Sequence, residues 1–216
     1  MRLQISSFTG FSDGRRFLEK ILNFNNIYIR MNPVVYLGGI GSGSRLRKRR
    51  VPMINYYDGD IFESKADVIC HQVNCQGAFG RGMAGQVKKM FPEVEKTYKI
   101  ITKQWTEEAG GKTKKLLGRV SAQPVEKDGR WFLIANLYGQ DDYGKEGLYT
   151  DYEALEKAME EIRGFLEVRG SRETVAFPYG IGCGFAGGDW EVVSAMIERV
   201  FGKYAGEVQI WKYEAK

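Results

Sequence analysis

The chain has 216 residues, of which 43% are hydrophobic, so it can hold one domain with a buried core and a short appendage. Its net charge of +5 is uneven: residues 1–52 hold ten Lys/Arg against two acids, and residues 53–216 hold 22 against 25. Residues 53–216 therefore lack the basic face of a general nucleic-acid-binding domain. No apolar run approaches the ~20 residues that span a bilayer, so we expect no membrane partner.

The chain has three cysteines, Cys70, Cys75 and Cys183, and a single histidine, His71. No two cysteines form a Cys-x-x-Cys pair, and a structural zinc site usually needs four closely paired ligands, so we predict no metal and no other cofactor. A sparse, odd set of cysteines is typical of a reducing compartment, which predicts a cytoplasmic protein.

Residues 1–52 differ from the rest and end in a basic run, Arg45 to Arg50. We interpret them as a disordered basic extension or an overcalled start, with the native chain beginning at Met53 and the domain covering residues 53–216. Binding of the basic run to nucleic acid or a membrane surface is the alternative.

Strand-like and helix-like runs alternate along residues 53–216. Apolar runs predict strands at Met53–Tyr57, Asp67–Val73, Arg119–Ala122, Trp131–Leu137, Thr174–Phe177 and Val208–Trp211. Amphipathic spacing predicts helices at Met83–Phe91, from Pro92 through Ile101, after a cap at Thr150 or Asp151, and from Asp189. A turn at Lys127–Gly129 separates the third and fourth strands. This alternation predicts a layered α/β domain with a largely parallel sheet.

Two glycine-rich loops, Gly77–Gly85 and Gly180–Gly188, each follow a predicted strand and precede a predicted helix. A helix start offers unpaired N–H groups, and glycine lets an anion approach the backbone. Both loops belong to the carboxyl edge of the sheet, where such folds bind ligands. We therefore predict a ligand with a diphosphate, held from two sides.

Several motifs resemble those of a macrodomain, in the same order and spacing: Gly59–Phe62, Asp67–Ile69, Asn74 before the first glycine loop, and Gly180–Gly184 followed by Asp189 and Trp190. The resemblance covers Met53 to Lys216. It implies a three-layer α/β/α fold with a mixed, mostly parallel sheet, and ADP-ribose or a derivative as the ligand. Residues Ile69 to Pro92 are similar to the branch of ADP-ribose 1''-phosphate phosphatases and terminal ADP-ribose glycohydrolases.

The resemblance also implies a set of binding residues. Asp60, next to Ile61, would accept the amine of adenine; its alternative role is to cap a turn. The first loop would cover the distal ribose and a phosphate through Gly80, Arg81, Gly82, Met83 and Ala84. The second would hold the diphosphate through Gly182, Cys183, Gly184, Phe185, Ala186 and Gly187. Asn136 completes the predicted set.

His71 and Asn74 are the predicted catalytic residues. A histidine with a near-neutral pKa suits general acid–base chemistry, and the phosphatase branch has a histidine at this place; a satisfied core histidine is the alternative. Asn74 would bind the distal ribose hydroxyls, or else hold a turn. We interpret Asp189 as a helix cap rather than a base, and Cys183 as a small loop residue rather than a nucleophile.

Departures from the family pattern limit the mechanism. Asn136 stands where the glycohydrolases of this branch use a lysine, and Ala186 where they use an aspartate. A second, mono-ADP-ribose-hydrolysing branch carries Asn at the His71 place and Asp at the Ala84 place. The resemblance thus implies a monomeric hydrolase that removes a group from the distal ribose, first of all the 1''-phosphate. The alternatives are a hydrolase acting on ADP-ribosylated protein or nucleic acid, and a non-enzymatic reader of ADP-ribose.

Overall fold

The computed structural model describes residues 54–144, 146–168 and 172–213. The predicted basic extension, residues 1–52, and the predicted start at Met53 lie outside the described residues. Of the helices in the described ranges, none combines the length and the apolar character needed to cross a membrane.

Six strands of the described chain form one sheet in the order β1-β6-β5-β2-β4-β3. They are β1 (Ile54–Asp58), β2 (Val68–Asn74), β3 (Val120–Lys127), β4 (Arg130–Gln140), β5 (Val175–Pro178) and β6 (Val208–Lys212). Every neighbouring pair is parallel except β3 and β4, which form an antiparallel hairpin. The predicted mixed, mostly parallel sheet is confirmed.

The helices lie in two layers, as the three-layer prediction requires. They are α1 (Gly82–Met90), α2 (Pro92–Glu108), α3 (Tyr152–Val168) and α4 (Trp190–Phe201). One face of the sheet, with Ile69 and Ile134, shares a buried core with α1 and α2. Alternate strand residues point to the other face, where α3 packs on β4 and against α4.

The hairpin is longer than the sequence predicts, because β3 continues through Pro124 to Lys127. Proline lacks an N–H group, but β3 is an edge strand, where a missing donor is tolerated. The predicted turn is confirmed: Asp128 and Gly129 have φ values of 52° and 76°, as in a two-residue hairpin turn. The longer β4 brings Gln140 to the carboxyl edge of the sheet.

Two aspartates cap the helices of the second layer. Asp151 Oδ1 accepts a hydrogen bond from the Ala154 N–H at 2.9 Å, so Asp151 rather than Thr150 caps α3. Asp189 Oδ1 accepts from the Glu191 N–H at 2.8 Å at the start of α4, as the capping interpretation predicts.

Candidate functional site

A cavity of about 880 Å³ runs along the carboxyl edge of the sheet. Its wall includes residues at or just after the ends of β1, β6, β5, β2 and β4, which are consecutive in the sheet. Four strand spacings amount to about 19 Å. The cavity therefore suits an elongated ligand laid across the strand ends.

Most of the predicted binding residues lie in this wall. They are Asp60, Ile61, His71, Asn74, Gly80, Arg81, Gly82, Met83, Ala84, Gly182, Gly184, Phe185 and Ala186. The structure does not place Asn136, Cys183 or Gly187 there. Asn136 is buried behind His71, and Gly187 lies against the Gly147 carbonyl. Burial raises the pKa of Cys183 to about 11, and its Sγ donates to the Ile181 carbonyl at 3.3 Å, as expected of a small loop residue.

The side chain of Asn74 organises the first glycine loop. Its Oδ1 accepts from the N–H groups of Gln76 and Ala78 at 3.0 and 3.1 Å, and its Nδ2 donates to the Ala78 carbonyl at 2.7 Å. The Tyr98 hydroxyl donates to the Asn74 carbonyl at 2.6 Å from below. Asn74 is only 8% exposed. It holds a turn and still forms part of the cavity wall.

The last residues of the first loop form the start of α1, which begins at Gly82. Arg81 occupies the N-cap position but makes no side-chain capping hydrogen bond, and the first turn holds no acidic residue. The first N–H groups of a helix have no partner within the helix. Gly82, Met83 and Ala84 carry these groups and line the cavity. The positive end of α1 is therefore available to an anion.

The second loop presents its N–H groups without a helix. Its turns are closed by the N–H groups of Ile181, Cys183, Gly187 and Gly188. Those of Gly184, Phe185 and Ala186 have no acceptor among residues 54–144, 146–168 and 172–213, and all three residues line the cavity. Consecutive free N–H groups of this kind form an anion-binding nest.

A polar network behind the second loop fixes its position, and the sequence analysis missed it. The Thr150 hydroxyl donates to the Gly182 carbonyl at 2.6 Å. Gln72 Nε2 donates to Thr150 Oγ1 at 3.0 Å and to Gln140 Oε1 at 2.8 Å. The N–H groups of Tyr149 and Thr150 also donate to the Ala186 carbonyl. Gln72 and Gln140 lie near the carboxyl ends of β2 and β4, and this position in the sequence was the signal that could have identified them as site residues.

His71 lies at the floor of the cavity and is fully buried. Its Nε2 is 2.7 Å from Asn136 Oδ1, and Asn136 Nδ2 donates to Ser121 Oγ at 3.1 Å. Because the Asn136 amide oxygen can only accept, we place the ring hydrogen of His71 on Nε2. Nδ1 makes no hydrogen bond within the described part of the chain. The ring packs edge-on against Phe79, with 5.6 Å between centroids.

The prediction of a near-neutral pKa for His71 is wrong. Burial lowers this pKa to about 4, and the hydrogen bond to Asn136 offsets only part of the effect. A charged imidazolium is costly in an apolar environment without a carboxylate partner. His71 is therefore neutral at pH 7.

Two charged side chains, Asp60 and Arg81, occur among the described residues of the wall. Asp60 Oδ1 accepts from the Phe62 N–H at 2.9 Å, so it also caps a short turn. The Arg81 guanidinium lies over the Phe185 ring, with Cζ 5.6 Å from the centroid.

Aromatic side chains form much of the remaining wall, and the sequence analysis assigned none of them to the site. They are Phe79, Tyr143, Tyr179, Trp211 and Tyr213. Trp211 is stacked on Tyr57, with the centroids 5.0 Å apart. Tyr179, Trp211 and Tyr213 lie at or just beyond the carboxyl ends of β5 and β6, which was the signal that could have found them.

No protein-family model matches the chain. It is 30% identical over 151 residues to a human ADP-ribose glycohydrolase, covering 68% of this chain and 84% of that protein. It is 23% identical over 186 residues to an ADP-ribose 1''-phosphate phosphatase of Saccharomyces cerevisiae, covering 74% and 98%. The macrodomain of Mycobacterium tuberculosis DarG has the same fold, with a TM-score of 0.62 at 22% identity over 74% of this chain and 97% of that one. The chain belongs to the macrodomain family.

Proposed function

We propose that this protein binds ADP-ribose in the cavity and hydrolyses a group from its distal ribose, with ADP-ribose 1''-phosphate as the first substrate. The observation that carries this proposal is that two separate sets of N–H groups, with no acceptor among the described residues, belong to residues that line one cavity. One set is the start of α1, and the other is Gly184 to Ala186. The names of the human and yeast relatives, a glycohydrolase and a phosphatase of ADP-ribose compounds, agree with this chemistry.

The adenine would lie at the β1 end of the cavity. Asp60 uses Oδ1 to cap a turn, which leaves Oδ2 to accept a hydrogen bond from the exocyclic amine. Ile61 and Trp211 supply apolar wall on the same side. The diphosphate would then reach the free N–H groups of the second loop, and the distal ribose would lie by the first loop.

Hydrolysis of the 1''-phosphate needs water to attack phosphorus while the bond between phosphorus and the ribose oxygen breaks, which yields ADP-ribose and phosphate. Fixed N–H groups stabilise the negative charge of the transition state without having to reorganise. We assign proton transfer to His71 through Nδ1, because Nε2 is committed to Asn136. Asn136 and Ser121 act as positioning residues that hold the tautomer.

A non-enzymatic reader of ADP-ribose is the second candidate. Full burial of His71 favours it, as does Asp60 being the one carboxylate side chain among the described wall residues. A reader needs the N–H groups and the adenine site but no proton transfer. A hydrolase that acts on ADP-ribosylated protein or nucleic acid would use the same pocket with a different leaving group.

The test compares phosphate release from ADP-ribose 1''-phosphate with calorimetric binding of ADP-ribose, both with the full chain. His71→Ala and His71→Asn are measured beside Thr102→Val. Thr102 is also a buried polar residue, hydrogen-bonded to the Tyr138 hydroxyl, and lies outside the cavity wall. We expect both His71 variants to bind ADP-ribose and lose turnover, and Thr102→Val to keep both.

Three results would decide between the candidates. Turnover that depends on His71 supports the phosphatase. Binding without any wild-type turnover supports the reader, or a hydrolase for another linkage, which an assay with ADP-ribosylated protein and oligonucleotide separates. Failure of the wild type to bind ADP-ribose contradicts both candidates.

A further inference from the structure

We infer that Arg81 and Phe185 form a clasp across the cavity that selects ligands with a negative charge on the distal ribose. This inference rests on the proposed function, since it assumes that ADP-ribose occupies the cavity.

The clasp joins the two glycine loops. The Arg81 guanidinium, from the first loop, lies 5.6 Å from the centroid of the Phe185 ring, from the second. The same ring reaches the backbone of the first loop, because a Cβ added at Gly82 would lie 3.8 Å from Phe185 Cδ2. Phe185 is 59% exposed, so its ring covers the cavity rather than the core. The two side chains therefore bridge the cavity between its two sets of N–H groups.

Arg81 is the one Lys or Arg among the described residues of the cavity wall. The other charged wall residue, Asp60, follows β1, whereas Arg81 belongs to the loop after β2. These strands are three positions apart in the sheet, which corresponds to about 14 Å. With adenine at Asp60, Arg81 lies at the distal-ribose end of the ligand.

The diphosphate has N–H groups to bind and needs no cation of its own. A guanidinium adds most where a further phosphate appears, because it donates two parallel hydrogen bonds to such a group. Phe185 holds the guanidinium over the cavity before the ligand arrives, so less side-chain freedom is lost on binding. A ribose with a free 1''-hydroxyl offers Arg81 no charge and gains little from it.

The experiment measures calorimetric affinities for ADP-ribose and for a non-hydrolysable 1''-phosphonate analogue of ADP-ribose, so that turnover does not interfere. The variants are Arg81→Ala, Arg81→Lys, Phe185→Leu and the pair Arg81→Ala/Phe185→Leu. The control is Lys89→Ala, which removes an exposed cation of α1 that lies outside the cavity wall.

We expect Arg81→Ala to weaken phosphonate binding about tenfold and ADP-ribose binding less than about threefold. Arg81→Lys should recover part of the loss, because it keeps the charge without the fork of two donors. Phe185→Leu should weaken phosphonate binding by a smaller factor, and this factor should shrink once Arg81 is already alanine. Lys89→Ala should change neither affinity.

Equal losses for the two ligands would overturn the inference, because Arg81 would then act on the diphosphate. Independent effects of Arg81 and Phe185 would overturn the clasp. Failure of the wild type to bind ADP-ribose would instead contradict the proposed function itself, so the two failures are distinguishable.

Discussion

The two glycine loops look alike in sequence but present their N–H groups by different means. In the first loop, α1 begins at Gly82 without a side-chain cap, and the start of the helix itself lines the cavity. In the second loop, Asp189 caps α4, and the free N–H groups belong to the coil from Gly184 to Ala186. One loop offers a helix start, and the other offers a nest of backbone donors.

The loops also differ in how they are held. The first folds around one of its own neighbours, Asn74, which bonds to the backbone two and four residues further on. The second is held from outside by Thr150, which Gln72 positions. Local hydrogen bonds are visible in a sequence motif, whereas distant ones are not. The first loop is therefore held by a residue close to it in the sequence, and the second by residues far from it.

The largest effect should come from Gly182→Ala. Gly182 has φ of 75°, and an added Cβ would lie 2.6 Å from Gln72 Oε1 and 3.0 Å from Thr150 Oγ1. Left-handed backbone strain costs about 1–2 kcal/mol, and the contacts with the network add to it. We expect a loss of about 3 kcal/mol in the free energy of unfolding in urea, and an ADP-ribose affinity reduced more than about tenfold.

Two controls sharpen this result. An alanine at Gly184 in the second loop, or at Gly80 in the first, would meet nothing within 4 Å and has no positive φ. Both variants should unfold like the wild type. A loss of stability in Gly184→Ala as large as that of Gly182→Ala would mean that the network behind Gly182 is not what holds the second loop.

Lowering the pH should destabilise the first loop before it destabilises the second. The pKa of His71 falls from 6.5 to about 4 on folding, so between these values the unfolded chain binds a proton that the folded chain does not. Stability due to His71 is therefore complete above pH 6.5 and declines as the pH falls toward 4, by about 3 kcal/mol at most. Because His71 packs against Phe79, hydrogen exchange should rise first in residues 77–85.

The comparison is the stability of the wild type and His71→Asn at pH 5 and pH 7. His71 is the single histidine of the chain, so the difference between the two proteins isolates its titration. Parallel pH profiles of the two proteins, or faster exchange in residues 180–188 at pH 5, would contradict the expectation.

Asn74→Ala should destabilise the protein by about 2 kcal/mol, because it removes the buried amide that makes three hydrogen bonds to the backbone of Gln76 and Ala78. Tyr98→Phe removes one hydroxyl that supports the same turn and should cost about 1 kcal/mol. Chemical denaturation measures both. An equal cost for the two variants would mean that the Asn74 amide contributes little to the first loop.

The smallest effect should follow Asp189→Ala, which removes the cap of α4 at a cost of about 1 kcal/mol. ADP-ribose affinity should not change, because in the proposed function the diphosphate is bound by the N–H groups of Gly184 to Ala186 and not by this helix start. Asp151→Ala, at the cap of α3, is the matched control with the same expected cost. If ADP-ribose affinity falls clearly in Asp189→Ala and not in Asp151→Ala, the start of α4 contributes to the binding site.

Much of the fold could be predicted from local pattern. Alternating strand-like and helix-like runs indicated the parallel sheet, and glycines before helix-like runs indicated the two loops. The strand at 119–122 was predicted too short, because a proline normally ends a strand and nothing local shows that β3 is an edge. The role of Asn74 as a turn residue was open in the sequence, since the same asparagine could bind a ribose.

The sequence by itself determined the element order, the two loops and the position of His71 on a buried strand, because periodicity and glycine placement are local properties. Only the tertiary structure decided the chemistry of those residues. Burial lowered the pKa of His71, and Asn136 on a neighbouring strand accepts a hydrogen bond from its Nε2. Thr150, more than thirty residues away in the sequence, holds the second loop through the Gly182 carbonyl. Electrostatics and hydrogen bonding depend on what surrounds a group in space, and the sheet order assembles those surroundings from distant parts of the chain.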